Sequence, residues 1–108
     1  MMWAKVTEYN IQHENRAFKL KQKGWFVYML RCSDNSLYTG ITTDISRRLE
    51  EHNSEKSVTR YTRARQPVEL VYQESAKSRS DAGKREVQLK KLKKIEKEFL
   101  VQNKKDSL

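Results

Sequence analysis

Chemically useful side chains occur in this sequence at spacings that would bring them onto shared faces of helices. Arg48 and His52 are four residues apart, which places a guanidinium group and an imidazole one turn apart on a helix. Glu86 precedes Leu89 and Leu92 at helical spacing, so its carboxylate shares a face with apolar side chains. Because burying an unpaired carboxylate is costly, we expect Glu86 either to pair with an arginine or to bind a metal ion.

The polar segment 54–67 combines cations with an aromatic ring. Its cations are Lys56, Arg60, Arg63 and Arg65, and Tyr61 lies among them. Guanidinium groups bind phosphates while an aromatic ring can stack on a base, so this pattern is typical of a contact with nucleic acid. A solvated surface loop is the alternative, and the charge of the whole chain favours the nucleic acid.

A predicted β-hairpin is the clearest part of the framework that must position these residues. The segment 25–31 is aromatic, β-branched and aliphatic up to its last residue, as expected for a strand covered on both faces. Turn-forming residues follow at 33–36, and a second strand is predicted at 37–41. The strands carry Tyr28 and Tyr38, one each, although ordinary strand packing would also explain two tyrosines.

The rest of the chain predicts a third strand and several helices. The third strand is expected at 68–72. A helix over 45–53 would start from the capping residues at 42–44, with Ile45 and Leu49 facing the core. A serine at position 78 and an acidic residue at 81 predict a capped helix from residue 82, with a break near 93–94. The fold class is therefore α+β, a small three-stranded antiparallel sheet flanked by helices.

Composition limits the classes of protein and partner. A chain of 108 residues, of which 34% are charged, suits one small domain. Its formal charge of +9 favours a polyanionic partner, with nucleic acid ahead of an anionic membrane surface. The single cysteine, Cys32, excludes an internal disulfide, and no apolar stretch approaches the roughly twenty residues that cross a bilayer. We therefore expect a cytoplasmic protein with no membrane partner.

Several of these residues together resemble the GIY-YIG nuclease domain. The matching residues are Val27-Tyr28, Tyr38-Thr39-Gly40, Arg48 and His52 in RRLEEHN, and Glu86 in KREVQLKKL. The resemblance runs from residue 25 to about 101 and looks closest to small single-domain bacterial proteins of the UPF0213 type, which are similar to the catalytic domain of structure-selective branch-cleaving nucleases. Phe26 and Thr39 depart from the name-giving motif, which has glycine and isoleucine there, but both are structural positions beside the tyrosines.

The resemblance implies roles for five residues in the hydrolysis of a phosphodiester. Glu86 would bind a divalent metal ion, with Mg²⁺ favoured at a one-carboxylate site and Mn²⁺ able to substitute. Arg48 would bind the scissile phosphate. Tyr28 or Tyr38 would act as general base or orient the water, which requires a lowered phenol pKa, and His52 would shuttle the proton or position Tyr28. A buried Arg48–Glu86 ion pair without a catalytic role is the alternative.

The combined prediction is a metal-dependent endonuclease domain over residues 24–102, between a partly ordered basic extension (1–23) and a C-terminal tail (103–108). We expect it to cut DNA by shape with weak sequence preference, as in DNA repair or recombination. The alternatives are a DNA- or RNA-binding module that keeps the fold without cutting, and a basic accessory protein of an RNA assembly. The residues expected to contact nucleic acid are Arg47, Arg60, Tyr61, Arg63, Arg65, Lys84 and Arg85.

Overall fold

The described residues form a three-stranded antiparallel sheet with four helices. The computed structural model describes residues 24–57 and 59–106, so the predicted extension over 1–23 lies outside the described residues. The strands are β1 (Trp25–Arg31), β2 (Leu37–Thr42) and β3 (Glu69–Ala76), in the order β2-β1-β3. The helices are α1 (Ile45–His52), α2 (Arg60–Arg63), α3 (Arg79–Lys90) and α4 (Lys94–Asp106). The predicted α+β class and sheet are confirmed.

The central strand β1 contributes to two separate cores. Val27 and Met29 are fully buried against residues of α3 and α4, while Tyr28 and Leu30 pack on the other face with residues of α1. Successive side chains of a strand point to opposite faces, which is why a run without polar residues can fill both cores. Tyr38 of β2 packs with the second core, so both tyrosines lie on the α1 side.

The predicted hairpin is confirmed, and its turn shows why polar residues occur there. Asn35 has a φ of +70°, a left-handed conformation that asparagine tolerates better than most residues. The side chain of Asp34 accepts a hydrogen bond from the backbone N–H of Ser36 at 3.0 Å. β2 ends at Thr42, one residue later than predicted.

The predicted bounds of the third strand are wrong. β3 begins at Glu69 rather than 68 and continues to Ala76, well beyond residue 72. Its polar second half pairs with the start of β1, with Gln73 opposite Tyr28 and Ser75 opposite Phe26. Strand pairing uses backbone groups, so an edge strand need not stay apolar along its length, and hydrophobicity alone ends the predicted strand too early.

Helix caps follow the predictions more closely than helix lengths do. The side chain of Asp44 accepts from the backbone N–H of Arg47 at 3.1 Å, and Ser78 accepts from Asp81 at 3.1 Å. Because Ser78 is the N-cap, α3 starts directly after it rather than at residue 82. None of the helices within 24–57 and 59–106 is long and apolar enough to cross a membrane.

The C-terminal helices confirm the predicted break. α3 ends at Lys90 and α4 begins at Lys94, so the apolar stripe changes direction between them. Phe99 of α4 is 65% exposed. α4 continues to Asp106, so the first part of the predicted tail over 103–108 is helical.

The predicted polar loop over 54–67 contains a short helix. Thr59 is the N-cap of α2 and accepts a hydrogen bond from the backbone N–H of Thr62 at 3.1 Å. The helix is a single turn of four residues, too short to produce an apolar period in the sequence. Thr62 is completely buried, so this segment is anchored to the core rather than solvated throughout.

Candidate active site

One small cavity contains all five residues that were predicted to be catalytic. Its volume is about 180 Å³, and its lining residues are Tyr28, Tyr38, Gly40, Ile41, Arg48, His52, Thr59 and Glu86. The strands β1 and β2 supply the tyrosines, α1 supplies the arginine and the histidine, and α3 supplies the carboxylate. The fold therefore gathers these residues from four elements.

Tyr28 and His52 form the buried centre of this cavity. Their side chains are joined by a hydrogen bond of 2.9 Å between Tyr28 Oη and His52 Nε2. The Tyr38 ring meets the same imidazole edge-on, with the ring centroids 5.1 Å apart. The two phenols and the imidazole thus make one continuous cluster.

Burial controls the protonation of this cluster. Desolvation raises the pKa of Tyr28 far above its ordinary value and also raises the pKa of Tyr38. Desolvation, followed by the positive charge of Arg48, lowers the pKa of His52. The lowered phenol pKa expected for a general base is therefore not found in the protein alone. At neutral pH both tyrosines keep their protons, and the imidazole is a neutral acceptor.

Gly40 allows the Tyr28 hydroxyl to lie against the backbone of β2. The two residues face each other across the β1–β2 ladder. A Cβ atom at position 40 would lie 2.6 Å from Tyr28 Oη and 2.7 Å from its Cζ, closer than real Cβ contacts. Only glycine leaves room for the phenol at this position.

The C-terminal end of α1, which carries His52, is held by the segment that follows α2. Asn53 donates from Nδ2 to the carbonyl of Val68 at 2.9 Å and accepts from the Val68 N–H at 2.7 Å. Gln66 donates to the carbonyl oxygen of His52 at 2.7 Å. These bonds fix the backbone of the histidine relative to the sheet.

Three hydroxyl side chains on the far side of the imidazole were missed from the sequence. His52 Nδ1 lies 2.8 Å from Thr62 Oγ1, which in turn contacts Ser57 Oγ and Thr59 Oγ1. The capping spacing of Thr59 and Thr62 is visible in the sequence and could have indicated a helical turn. Nothing in the sequence places that turn next to His52.

Arg48 and Glu86 do not pair with each other. Arg48 Nη1 lies 3.3 Å from Glu51 Oε1, and Glu86 Oε2 lies 3.2 Å from Lys90 Nζ. The predicted alternative of a buried Arg48–Glu86 ion pair is therefore wrong. Their side chains are 34% and 22% exposed, so both groups are open to a ligand in the cavity.

A divalent metal ion fits this cavity only with few protein ligands. Among residues 24–57 and 59–106, no group of three or more His, Cys, Asp or Glu side chains is placed to hold a metal ion. Mg²⁺ is commonly bound through one or two carboxylates while it keeps several waters and takes oxygens from a phosphate. Glu86, the carboxylate that lines the cavity, suits this kind of site.

An aromatic and basic cluster continues outward from Tyr38. The rings of Tyr38 and Tyr61 are 5.9 Å apart, and the Arg65 guanidinium carbon lies 3.9 Å from the centroid of the Tyr61 ring. Asp34 holds Arg65 in place with a contact of 2.9 Å. Two residues predicted to contact nucleic acid, Tyr61 and Arg65, are thus connected to the cavity through Tyr38.

The other residues predicted to contact nucleic acid occupy different surroundings. Those with exposed side chains are Arg47, Arg60, Arg63 and Lys84. Arg85 instead contacts Glu74 at 2.5 Å and lines a separate, mainly apolar groove with Phe99 and Ile95. None of the five residues of the candidate active site is among those that line this groove.

Comparisons with known proteins agree with this geometry. The GIY-YIG catalytic domain matches residues 24–98. A UPF0213 protein of Desulfotalea psychrophila is 54% identical over 77 residues, which are 71% of this chain and 70% of the relative. A UPF0213 protein of Syntrophus aciditrophicus is 50% identical over 76 residues, which are 70% of this chain and 87% of the relative.

Among solved structures, the chain is similar to the solution NMR structure of a UPF0213 protein from Bacillus halodurans. The two sequences are 42% identical, and the match covers 74% of this chain and 84% of the other, with a TM-score of 0.49. The family match spans both tyrosines, the arginine, the histidine and the glutamate of the cavity. The chain therefore belongs to the GIY-YIG family, with UPF0213 bacterial proteins as close relatives.

Proposed function

We propose that this chain is a metal-dependent endonuclease that hydrolyses DNA phosphodiester bonds and selects its substrate by shape. The observation that carries the proposal is the meeting of Tyr28, Tyr38, Arg48, His52 and Glu86 in one cavity of a GIY-YIG chain. The family implies a nucleic-acid substrate, and GIY-YIG domains generally use a divalent metal ion. The charge of +9 supports a polyanionic substrate.

The charged residues of the cavity, Arg48 and Glu86, would bind and polarise the phosphate. Arg48 presents a planar guanidinium group that can bind two phosphate oxygens and stabilise the charge that develops in the transition state. Arg48 contacts Glu51 at 3.3 Å, and about one third of each side chain is exposed. Ion pairs this exposed are weak, so Arg48 can exchange Glu51 for a phosphate. Glu86 would hold a divalent ion, which supplies Lewis acidity to the phosphate when bound.

Tyr28 and His52 would remove a proton from the attacking water. The phenol oxygen takes a proton from the water while its own proton passes to His52 Nε2 along the 2.9 Å hydrogen bond. The water becomes a hydroxide equivalent, Tyr28 ends as a neutral phenol, and His52 ends as an imidazolium. No free phenolate is formed, so the raised pKa of Tyr28 does not oppose the step, and a phosphate bound at Arg48 would offset the positive charge that helps to lower the pKa of His52. Tyr38 holds the imidazole edge in place.

Cleavage of end-labelled flap and branched DNA tests the proposal. Wild-type protein is assayed with Mg²⁺, with Mn²⁺ and with EDTA, beside Arg48→Ala and Glu86→Gln. We expect metal-dependent cleavage by the wild type and a loss of about 10²-fold or more in each variant. Glu50→Gln is the matched control, since Glu50 is exposed on α1 and should keep full activity.

Two outcomes would contradict the proposal. The first is the absence of metal-dependent cleavage by folded wild-type protein on flap, branched, single-stranded and duplex DNA. The second is undiminished cleavage by Arg48→Ala or Glu86→Gln. Binding of DNA or RNA without any cleavage would instead identify a nucleic-acid-binding module. Cleavage of RNA but not of DNA would identify RNA as the substrate.

A further inference from the structure

A buried group of hydroxyl side chains lies behind His52, on the side away from Tyr28. Thr62 is completely buried, and its Oγ1 lies 2.8 Å from His52 Nδ1. The same oxygen lies 2.9 Å from Ser57 Oγ and 2.6 Å from Thr59 Oγ1. These three residues come from α2 and the segment before it, so they connect the imidazole to a different part of the chain from Tyr28.

The hydrogen-bond partners distinguish the two neutral forms of His52. A neutral imidazole has one N–H and one bare nitrogen, so one ring nitrogen donates and the other accepts. If Nδ1 carries the proton, it donates to Thr62, and Tyr28 donates its own proton to Nε2. Thr62 then donates to Ser57 or Thr59, and every proton in the chain of contacts has an acceptor.

The opposite form leaves the phenol proton of Tyr28 without an acceptor among the described side chains. If Nε2 carried the proton, it would point at Tyr28 Oη, and the phenol would need another acceptor. Within the described part of the chain, the one hydrogen bond of Tyr28 Oη is to His52. Because Tyr28 is 2% exposed, this form would leave the hydroxyl either unpaired, which is costly, or dependent on a water of the cavity.

We propose that Thr62, supported by Ser57 and Thr59, is a positioning residue that holds His52 in its Nδ1-protonated form so that Nε2 accepts the proton of Tyr28. The proposal deepens the endonuclease function and rests on it for its catalytic consequence. The proton that reaches Nε2 stays there as part of an imidazolium, while the Nδ1 proton remains bonded to Thr62. No other side chain has to gain or lose a proton in this step; the departing oxygen takes a proton from solvent, and the imidazolium returns its proton to solvent before the next turnover.

The surroundings of His52 make such a constraint necessary. The titratable groups that face it are Tyr28 of β1, Tyr38 of β2, and Arg48 and Glu51 of α1. Among the described residues, the hydrogen-bond partner of Nδ1 is Thr62 rather than any of these groups. The α2 segment is therefore the part of the molecule that offers an acceptor to a proton on Nδ1, while Tyr28 offers its proton to Nε2.

Nitrogen NMR of the metal-free, DNA-free full chain tests the tautomer directly. The protein is labelled with ¹⁵N-histidine, and a His13→Gln variant assigns the signals because the chain has two histidines. In wild type and in Thr62→Ser we expect a protonated Nδ1 and an unprotonated Nε2 on His52. Thr62→Val, which keeps the shape and removes the hydroxyl, should show the other form or a mixture. A wild-type His52 protonated on Nε2, or a tautomer unchanged in Thr62→Val, would overturn the proposal.

Kinetics of the same variants test the catalytic consequence. Thr62→Val should lower kcat by about 10- to 100-fold with little change in KM, as for loss of a residue that orients a catalytic group. Thr62→Ser should restore most of kcat, since the hydroxyl returns. Equal loss in both variants, with the tautomer intact, would indicate a packing role and overturn the assignment. Inactive wild-type protein would count against the proposed function, while the NMR result would still decide the tautomer.

Discussion

Tyr28 can reach His52 only because residue 40 has no side chain. The phenol lies across the Cα of Gly40, where any Cβ would come within 2.6 Å of the hydroxyl. The ring has little freedom to move away, because Tyr28 is 2% exposed and bonded to His52. A backbone position on β2 therefore determines whether the tyrosine and histidine meet.

Gly40→Ala should impair cleavage by about 10²-fold, since a small displacement of a reacting group has that effect. It should also lower the free energy of unfolding by about 1–3 kcal/mol through overpacking. Gly83→Ala is the control, because nothing lies within 4 Å of a Cβ there. That change should stabilise α3 by up to about 1 kcal/mol and leave cleavage unaffected. Full activity of Gly40→Ala would show that cleavage does not depend on the position of Tyr28.

The hydroxyl of Thr39 is a second residue-scale feature with a measurable effect. Its Oγ1 is buried and has no hydrogen-bond partner among the described residues. Thr39→Val should therefore raise the free energy of unfolding by about 1 kcal/mol in a chemical denaturation experiment. Thr42→Val on the same strand should lower it by a similar amount, because Thr42 accepts from the Asp44 N–H at 3.0 Å. Destabilisation by Thr39→Val would mean that its hydroxyl is satisfied in solution.

At the scale of elements, an ion pair ties α4 to the end of β1. The two terminal guanidinium nitrogens of Arg31, Nη1 and Nη2, each donate to one oxygen of the Glu98 carboxylate at 2.7 Å. The hydrogen bond from Arg31, helped by Lys94, holds the pKa of Glu98 at about 2, below its usual 4.5. A carboxylate with a lowered folded-state pKa stabilises the protein above its unfolded pKa and loses that effect as pH falls through the folded value.

Glu98→Gln should lower the free energy of unfolding at neutral pH by about 1 kcal/mol, a value discounted for the partial exposure of the pair. The difference from wild type should shrink as pH falls from 4.5 towards 2, because Glu98 then becomes neutral. Urea denaturation at several pH values measures this difference in the free energy of unfolding. Glu50→Gln, at an exposed position of α1, is the control. A difference that does not change with pH would attribute the effect to packing.

At the scale of the whole molecule, charge dominates the expected interaction with nucleic acid. The chain carries 23 Lys and Arg against 14 Asp and Glu. A surface of this kind binds phosphates mainly by releasing counterions, so affinity should fall steeply with salt. The arginines of α2, Arg60 and Arg63, are exposed cations within four residues of the cavity residue Thr59.

Arg60→Ala and Arg63→Ala should each reduce the slope of log affinity against log salt by about 1, since each arginine is predicted to contact one phosphate. The measurement is fluorescence anisotropy with labelled DNA in EDTA, between about 50 and 200 mM salt. Arg85→Ala is the informative comparison, because Arg85 is bound to Glu74 beside a different groove. Unchanged slopes in both α2 variants would place the DNA on another face.

The sequence by itself determined the features that depend on neighbouring residues. The hairpin, the caps at Asp44 and Ser78, and the break before α4 follow from local propensity and short-range hydrogen bonds. The family resemblance also identified the five residue types of the cavity before any contact between them was known. Residues at helical spacing, such as Arg48 and His52, could be placed on one face in the same way.

Only the tertiary structure decided which of those residues touch. The contact of Tyr28 with Gly40, the separate partners of Arg48 and Glu86, and the hydroxyl group of Thr62 behind His52 join positions far apart in the chain. Local sequence does not predict such contacts, because they depend on how the sheet and helices pack together. The raised pKa values of the two tyrosines in the protein alone likewise follow from burial, which is a property of the folded molecule.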